Sequence, residues 1–488
     1  HMNGKTNHAY DTNVADTSRV YDIDEIVVSS QPKDLQRLRR QAVSSTSLSA
    51  KTLAAFATRD MRDVATRVPS FVMPCYGSRY TSSVYVRGIG SRVNNPAIGM
   101  YVDDIPMVNK SAFNTHLYDL SRIDILRGPQ GTLYGQNAEG GLVRVYTKSP
   151  LTYQGTDAKL SIGSHMWRMA QISHYNKVEG VGAYSLSAFY NGQNGFLRNQ
   201  YNKHRADDGN EAGARLKFMR QQTDRTLISL AADYQWVRQN GFAYGDYDLT
   251  TRRASAPSTN QPNSYRRHLA SVGLTVNYRG VNADINSTTS YQYLDDNMTL
   301  DQDFTVDPYF TLTQIRKEHA VTEDIVARST STGAYSWMFG TFGFSRHYNM
   351  DSPVTFKDKG ISQLIERNRN NVMPSYPISW DTRDFVLGSD FKNDTYGVAL
   401  YHQSSYQLGD FTFAGGVRLD YEHASLKYHS ETHTGYTITT QATGEVFSHE
   451  NIDINERGRI SKEFLQLLPK VSVTYLVGGN KTSSLYLS

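Results

Sequence analysis

From about residue 157 onward, apolar and polar residues alternate with a period of two, the spacing at which successive side chains of a strand fall on opposite faces. Tyr184, Leu186, Ala188 and Tyr190 share one face, and Ile228, Leu230, Ala232, Tyr234 and Trp236 form another against Ser229, Ala231, Asp233 and Gln235. Val272, Leu274, Val276 and Tyr278 oppose Ser271, Gly273, Thr275 and Asn277. Phe411, Phe413, Gly415, Val417, Leu419 and Tyr421 oppose Thr412, Ala414, Gly416, Arg418, Asp420 and Glu422. Each strand thus has a hydrocarbon-compatible face ending in aromatics and a wet face bearing charge, the pattern of a membrane-spanning β-barrel. The connections agree with that reading. Short turns at 177–182, 221–225, 279–280, 332–333, 409–410 and 478–480 alternate with long polar loops at 191–210, 241–263, 295–311, 349–393 and 423–463. Turns at one rim and loops at the other are what a barrel requires, and a soluble sandwich has no reason to show them.

The earlier part of the chain has a mixed pattern. Between Ser49, a candidate N-cap, and Pro69, the residues Met61, Val64, Ala65 and Val68 lie on one helical stripe. Further on, Ile123, Ile125 and Leu126 read as a strand, Gly128, Gly131 and Gly135 as a tight loop, and Leu142, Val143 and Val145 as a second strand opened by Gly140 and Gly141. Glycine is expected where a chain turns tightly or passes close to other backbone.

Composition narrows the class. The 488 residues are 39% hydrophobic and 20% charged, with 33 Tyr against 4 Trp and 19 Phe, so tyrosines suit aromatic girdles and wet loops better than one large dry core. No apolar run approaches the roughly 20 residues of a spanning helix. A net charge of +4 with interspersed signs gives no basic stripe for nucleic acid. Cys75 is the single cysteine, so no intramolecular disulfide forms, and it is expected to be a small buried hydrophobe. His1 and Met2 look like a cloning remnant, and residues 1–21 read as a flexible polar lead-in. Enzyme signatures such as G-x-S-x-G, H-E-x-x-H and C-x-x-C are absent, and Gly88-Ile89-Gly90 lacks the third glycine of a dinucleotide loop. His423, His429, His433 and His449, near one long loop, match no metal-binding spacing. Asp295, Asp296, Asp301, Asp303 and Asp307 do not fit an EF-hand, so both sets read as solvated polar residues rather than metal ligands.

Three segments carry a family resemblance. The runs at 84–90 (VYVRGIG), 96–106 (PAIGMYVDDIP) and 123–147, with its glycine-punctuated loop, are similar in order and spacing to the plug domain of TonB-dependent outer-membrane receptors. The usual glycine after the plug's proline is replaced by Ser70, which puts the geometry of that turn in question. The resemblance implies a mainly β chain, a transmembrane antiparallel barrel with an N-terminal α+β plug inside. The expected organisation is a lead-in at 1–21, a TonB box at 22–30, a plug at 31–150 and barrel strands from 151 to 488. Full barrels of this kind use about 22 strands, and about a dozen, or thirteen, are counted here. The chain is therefore expected to be the N-terminal part of a longer polypeptide.

The same resemblance implies how such a molecule works. Asp24, Glu25, Ile26, Val27 and Val28 would form the TonB box, an extended segment able to add a strand to a partner's sheet. TonB with ExbB and ExbD would supply force, and outer-membrane lipid would surround the barrel. The cargo implied is a ferric siderophore, since residues 95–103 and 130–135 look like yersiniabactin- and pesticin-type iron receptors; no resident cofactor is implied. Haem, cobalamin and oligosaccharide remain open, as do a surface lipoprotein partner and a non-energised binding or adhesion role. Candidate substrate contacts are Tyr76, Arg79, Tyr80, Arg92, Asn94, Asn95 and Phe113, whose cations and aromatic faces suit an anionic chelate with phenolic or catechol rings. Arg87 and Arg127, beside glycines, are candidates for locking plug to barrel through carboxylates.

Overall fold

The computed structural model describes residue 33 and residues 41–91, 96–135, 137–330, 333–478 and 483–488. The expected TonB box, 22–30, lies outside the described residues, as do Arg92, Asn94 and Asn95.

The plug is built on a five-stranded sheet. Its strands are β1 (Ser44–Ser49), β5 (Ile98–Val102), β6 (Ile105–Pro106), β7 (Leu120–Arg127) and β8 (Gly141–Thr147), in the order β1-β7-β8-β5-β6. A smaller sheet joins β2 (Phe71–Val72), β3 (Tyr85–Val86) and β4 (Ile89–Gly90). Two short helices, Ala50–Ala55 and Met61–Ala65, replace a single helix over 49–69. Ser49 caps the first through Thr52 N, and Asp60 caps the second through Arg62 N. Met61, Val64 and Val68 pack with Ile123, Ile125, Val143 and Val145 into one buried core, so the helical stripe and the β-branched runs meet as their periodicities require. Gly141, at φ +153°, passes so close to the Leu126 carbonyl that a side chain there would overlap it. Between β7 and β8 the chain makes one helical turn, Gly131–Tyr134.

The second sheet is antiparallel and fifteen-stranded. Its main path runs through β9 (Gly155–Gly163), β10 (Trp167–Val178), β11 (Gly182–Gln193), β12 (Gly209–Thr223), β13 (Thr226–Asn240), β16 (Ser264–Arg279), β17 (Ala283–Asp301), β18 (Phe310–Ser329) and β19 (Tyr335–Asp351). It continues through β22 (Phe385–Leu408), β23 (Phe411–Thr439) and β24 (Val446–Val477) to β25 (Ser483–Leu487), thirteen strands in all. Strands β20 (Val354–Phe356) and β21 (Ile378–Trp380) add rungs at the loop end, and β14 (Tyr247–Asp248) pairs with β15 (Arg253–Ala254) in a separate small hairpin. The sheet curls around the plug. Arg215, Arg267 and Arg418 turn inward and are buried, while Leu186, Leu230, Val272, Leu400 and Leu419 are exposed on the outside, as the alternation predicts.

Of the expected long loops, 423–463 is largely strand and 349–393 is partly helical. β23 and β24 stay paired from Phe411↔Tyr475 to Thr439↔Val446, so 423–463 is a tall hairpin whose connection is confined to 440–445. Tyr428, Thr432, Tyr436, Ile438, Ile452 and Ile454 are strand formers, but beyond the apolar belt both faces are polar, and polarity alone suggested a loop. Within 349–393 the chain folds a turn of helix, Gly360–Glu366 and Arg367–Val372, over a cluster of Ile361, Ile378 and Trp380.

Candidate functional site

The plug touches the barrel through inward-facing charges. Arg79 makes a bidentate pair with Glu211 of β12, at 2.6 and 2.8 Å, and Asn191 of β11 donates to the same carboxylate at 2.6 Å. Tyr118 donates to Asp233 at 2.9 Å, and Arg215 pairs with Asp233 at 3.0 Å while its guanidinium lies 4.5 Å from the Tyr118 ring. Tyr175 of β10 donates to Asp119. Asp103 meets Lys217 at 2.9 Å and accepts from Thr147 N at 2.9 Å. Burial would raise the Asp103 carboxyl, but Lys217 and Thr147 outweigh it and hold the group below its ordinary range. Asp119 goes the other way, because burial raises it more than Arg215 and Tyr175 lower it. Further around, Arg267 donates to the Ser111 carbonyl at 2.5 Å, and Gln292 accepts from Val108 N at 3.1 Å. Beside these, His116 stacks on Phe189 at 4.3 Å with neither ring nitrogen hydrogen-bonded among the described residues, and burial lowers its basicity.

On the opposite side the plug and wall part, leaving a cavity of about 750 Å³. Its plug side includes Met100, Tyr101, Lys110, Phe113 and Tyr134; its wall carries Arg316, Phe342, Phe344, Arg346, Tyr348 and Arg418. Arg316 pairs with Asp296 at 2.5 Å, Arg346 with Glu318 at 2.9 Å, and Arg418 with Asp420 at 2.7 Å. Arg418 also donates to the Leu133 carbonyl at 3.3 Å, reaching across the space above Gly135. A side chain at residue 135, where φ is +71°, would strike the Arg418 guanidinium, so this glycine of the 123–147 motif is required by the barrel as well as by its own turn. The Arg346 Nε has no hydrogen-bond partner among the described residues. The cavity is edged by arginines that are each paired with a carboxylate, by Asp420 and Glu422, and by aromatic rings, a lining that suits a bulky, ring-bearing polar solute.

The sequence candidates divide among several roles. Phe113 lies on the cavity wall, although most of its ring belongs to the plug core. Arg79 is engaged by Glu211 and is part of the seat. Tyr80 donates to Gln314 at 2.7 Å and packs edge-on to Tyr265. Tyr76 is half-buried with its hydroxyl 3.4 Å from that of Tyr85. Arg127 donates to the carbonyls of Pro69 and Ser45, both in the plug, and Arg87 is exposed at φ +52°. Cys75 is half-buried rather than enclosed, and accepts a bond from Asn114 at 3.3 Å. The histidines lie on paired strands: His429 bonds Asp390 at 2.8 Å, His433 bonds Asp453 at 2.8 Å, and His449 bonds Asp381 at 2.7 Å. Of the aspartates, Asp296 is enclosed beside Arg316. Sequence reasoning missed Arg316, Arg346 and Arg418 as site residues; Arg418 alone stood out, as a charge between the outward-facing Val417 and Leu419, whereas Arg346 has polar neighbours on both sides and Arg316 a charged neighbour on one, so neither carries a local signal.

Comparisons with known proteins locate this architecture. Residues 37–142 match the family model of the TonB-dependent receptor plug domain. The pesticin receptor of Yersinia pestis is 31% identical over 127 residues, covering 26% of this chain and 19% of that protein. The vitamin B12 transporter BtuB of Vibrio vulnificus is 26% identical over 184 residues, 36% of this chain and 28% of that one. Among solved structures, the ferric yersiniabactin uptake receptor FyuA from Yersinia pestis superimposes with a TM-score of 0.71 at 19% identity, over 90% of this chain and 63% of that one. The ferric-catecholate import receptor Fiu of E. coli, in its closed form, gives a TM-score of 0.62 at 14% identity, over 94% of this chain and 66% of that one. The chain therefore aligns with less than a third of the curated relatives' length and less than two thirds of FyuA, and the structural likeness is one of fold.

Proposed function

We propose that this chain, a TonB-dependent receptor by its plug domain and its plug-in-barrel fold, works in the bacterial outer membrane as part of an energised importer of a bulky iron chelate. The observation that carries this reading is the cavity of about 750 Å³ between plug and wall, edged by Arg316, Arg346 and Arg418 and by Phe342, Phe344 and Tyr348. It is a receptor rather than an enzyme: a plugged pore needs work to open. That work would come through TonB, with ExbB and ExbD, pulling on Asp24, Glu25, Ile26, Val27 and Val28. The kinship to pesticin and yersiniabactin receptors favours a ferric siderophore over cobalamin, haem or oligosaccharide. Plug motifs alone do not separate these cargoes, as the BtuB match illustrates.

Iron-limited growth of a strain in which the full-length gene is the sole receptor tests the reading. Ferric siderophores should support growth, deletion of residues 22–30 should abolish it, and chelate binding to cells should persist in the deletion. Growth unaffected by the deletion sinks energised transport, and growth on haem alone replaces the cargo.

A further inference from the structure

The outer face of the barrel carries a carboxylate where the alternation calls for an apolar residue. Glu323 of β18 belongs to the outward set, because its neighbours Val321 and Ile325 are exposed while the alternate residues Thr322 and Val326 are buried on the inside. Its register partners are Thr289 of β17 and Gly343 of β19, and the row ends on either side in the exposed Leu274 of β16 and Val398 of β22. Ser287 donates to one oxygen of Glu323 at 2.6 Å, and Thr289 donates to the other.

This carboxylate stands well inside the hydrocarbon. Along β18, six residues separate it from Ser329 beside a short turn, and four from His319, whose ring meets Tyr291 and Tyr293. At about 3.3 Å per residue and a tilt of about 45°, these are about 14 Å and about 9 Å along the membrane normal, and together they span the apolar band of roughly 25 Å. The bond from Ser287, which lies nearer the turn end than Thr289, draws the carboxylate away from the loop-end headgroups. Acyl chains at this depth offer no hydrogen-bond donor, and an ionisable group placed there marks a contact with something other than lipid. Gly343 supplies the matching shape. A β-carbon there would meet nothing nearer than the Gly397 carbonyl at 3.9 Å, so the surface beside Glu323 is hollow, and the flanking outward residues Thr341 and Ser345 carry hydroxyls.

We propose that this patch is the contact between two copies of the chain within the membrane. A two-fold axis along the membrane normal, passing between Glu323 and Gly343, sets the carboxylate of each copy against the hollow of the other. There the partner subunit's Thr341 and the partner subunit's Ser345 are the donors it lacks from lipid. One patch thus holds both halves of a complementary pair, acceptor and knob beside donors and hollow, which is what a self-complementary two-fold contact requires. An unrelated partner would need only one half. Small residues let two walls approach closely, and hydroxyls then bond across them. The inference rests on the outer-membrane reading of the barrel and is independent of the cargo.

The test uses the full-length protein, labelled separately with donor and acceptor fluorophores, inserted together into phosphatidylcholine vesicles and diluted with further lipid. Energy transfer should follow a monomer–dimer equilibrium. Gly343→Leu, which fills the hollow, and Glu323→Leu, which removes the acceptor, should each weaken the dimer about tenfold, because each change strikes both symmetry-related contacts. Glu323→Gln keeps a hydrogen-bonding group and should stay within about threefold, and Leu274→Ala, two strands away on the same face, should change nothing. Both leucine variants place an apolar side chain toward lipid, as a barrel wall favours. Inserted unaltered protein that stays monomeric at every dilution overturns the proposal even if a variant fails to fold. A dimer that both leucine variants leave intact overturns it by placing the contact elsewhere. Chains that stay monomeric and retain an added hydroxyacyl lipid only when Glu323 is present overturn it in favour of a lipid site. Failure of the unaltered protein to insert removes the outer-membrane reading as well, whereas insertion without association counts against the dimer alone.

Discussion

Against β10–β17 the plug makes a run of buried charge pairs, whereas against β18–β24 it borders a cavity and touches the wall at fewer points. On the first side, Arg79 and Glu211 keep only 13% and 5% of their side-chain surface. On the second, the wall pair Arg346–Glu318 borders the cavity with Arg346 keeping 21%, and the plug itself is met at scattered points: Arg418 on the Leu133 carbonyl, Asn109 on Glu318 at 3.0 Å, and Lys33 on Asp324 at 2.5 Å. A buried ion pair is costly to break because each partner is left as an uncompensated charge, while a half-wet one exchanges its partner for water. The difference implies that one wall holds the plug in register and the other leaves open space beside it, where the proposed cargo would fit. Lys33 lies between the Tyr134 and Tyr401 rings, at 4.7 and 4.9 Å, and so joins the plug to the wall on this side.

Removing one charge on each side tests this division most severely. Glu211→Ala strands the Arg79 guanidinium against a closed wall and should cost about 3–5 kcal/mol of plug docking. Arg346→Ala leaves the buried Glu318 carboxylate still compensated by its bond from Asn109 and by the neighbouring Arg316 charge, and should cost about 1.5–3 kcal/mol. Hydrogen exchange over residues 75–83 is the readout: protection should collapse in the first variant and survive in the second. Equal effects would mean that the two walls share the plug evenly.

Acidification should act on the first wall through His116. Burial lowers its folded pKa below the unfolded value of about 6.5, so below that pH the unfolded state binds more protons than the folded one. Docking stability is therefore highest above about 6.5 and falls as the pH drops toward the folded pKa, by at most about 1.4 kcal/mol per pH unit. Glu211 favours the imidazolium, with its carboxylate 4.0 Å away, as does Asp60, while Arg79 and Lys159 oppose it; burial is the largest influence. His116→Phe keeps the stack on Phe189 and should flatten the pH slope of plug unfolding between 5 and 7. An unchanged slope would assign that sensitivity to other groups.

The architecture was legible where a single period governs a long segment. Alternation from residue 157 onward gave the barrel, because a strand's period depends on neighbours in sequence, while the plug was legible through the resemblance of the runs at 84–147 to a known family. The seat was not legible in the same way. Glu211 lies 132 positions from Arg79, and nothing local distinguishes an arginine aimed at cargo from one aimed at a wall carboxylate. Arg127 illustrates the converse, since its partners at Pro69 and Ser45 follow from how the plug closes on itself. The tall β23–β24 hairpin was obscured because burial, which makes a strand visible as alternation, ends where the lipid does.

Ser70 offers the smallest effect and a control for the two-wall comparison. It sits at φ +60°, the left-handed region where a β-carbon is strained, and its carbonyl accepts from Arg87 N at 2.8 Å within the plug. The sequence raised this position because serine stands where related plugs carry glycine, and the backbone has kept the glycine-like conformation. Ser70→Gly relieves about 1–2 kcal/mol of steric cost and forfeits roughly 0.5–1 kcal/mol through the greater freedom of the unfolded chain. A net gain of up to about 1.5 kcal/mol is expected in denaturant unfolding of the plug. Because the strain is internal to the plug, exchange at the Arg79–Glu211 seat should change no more than global stability does. A larger change at the seat would show that this turn sets how the plug meets its first wall.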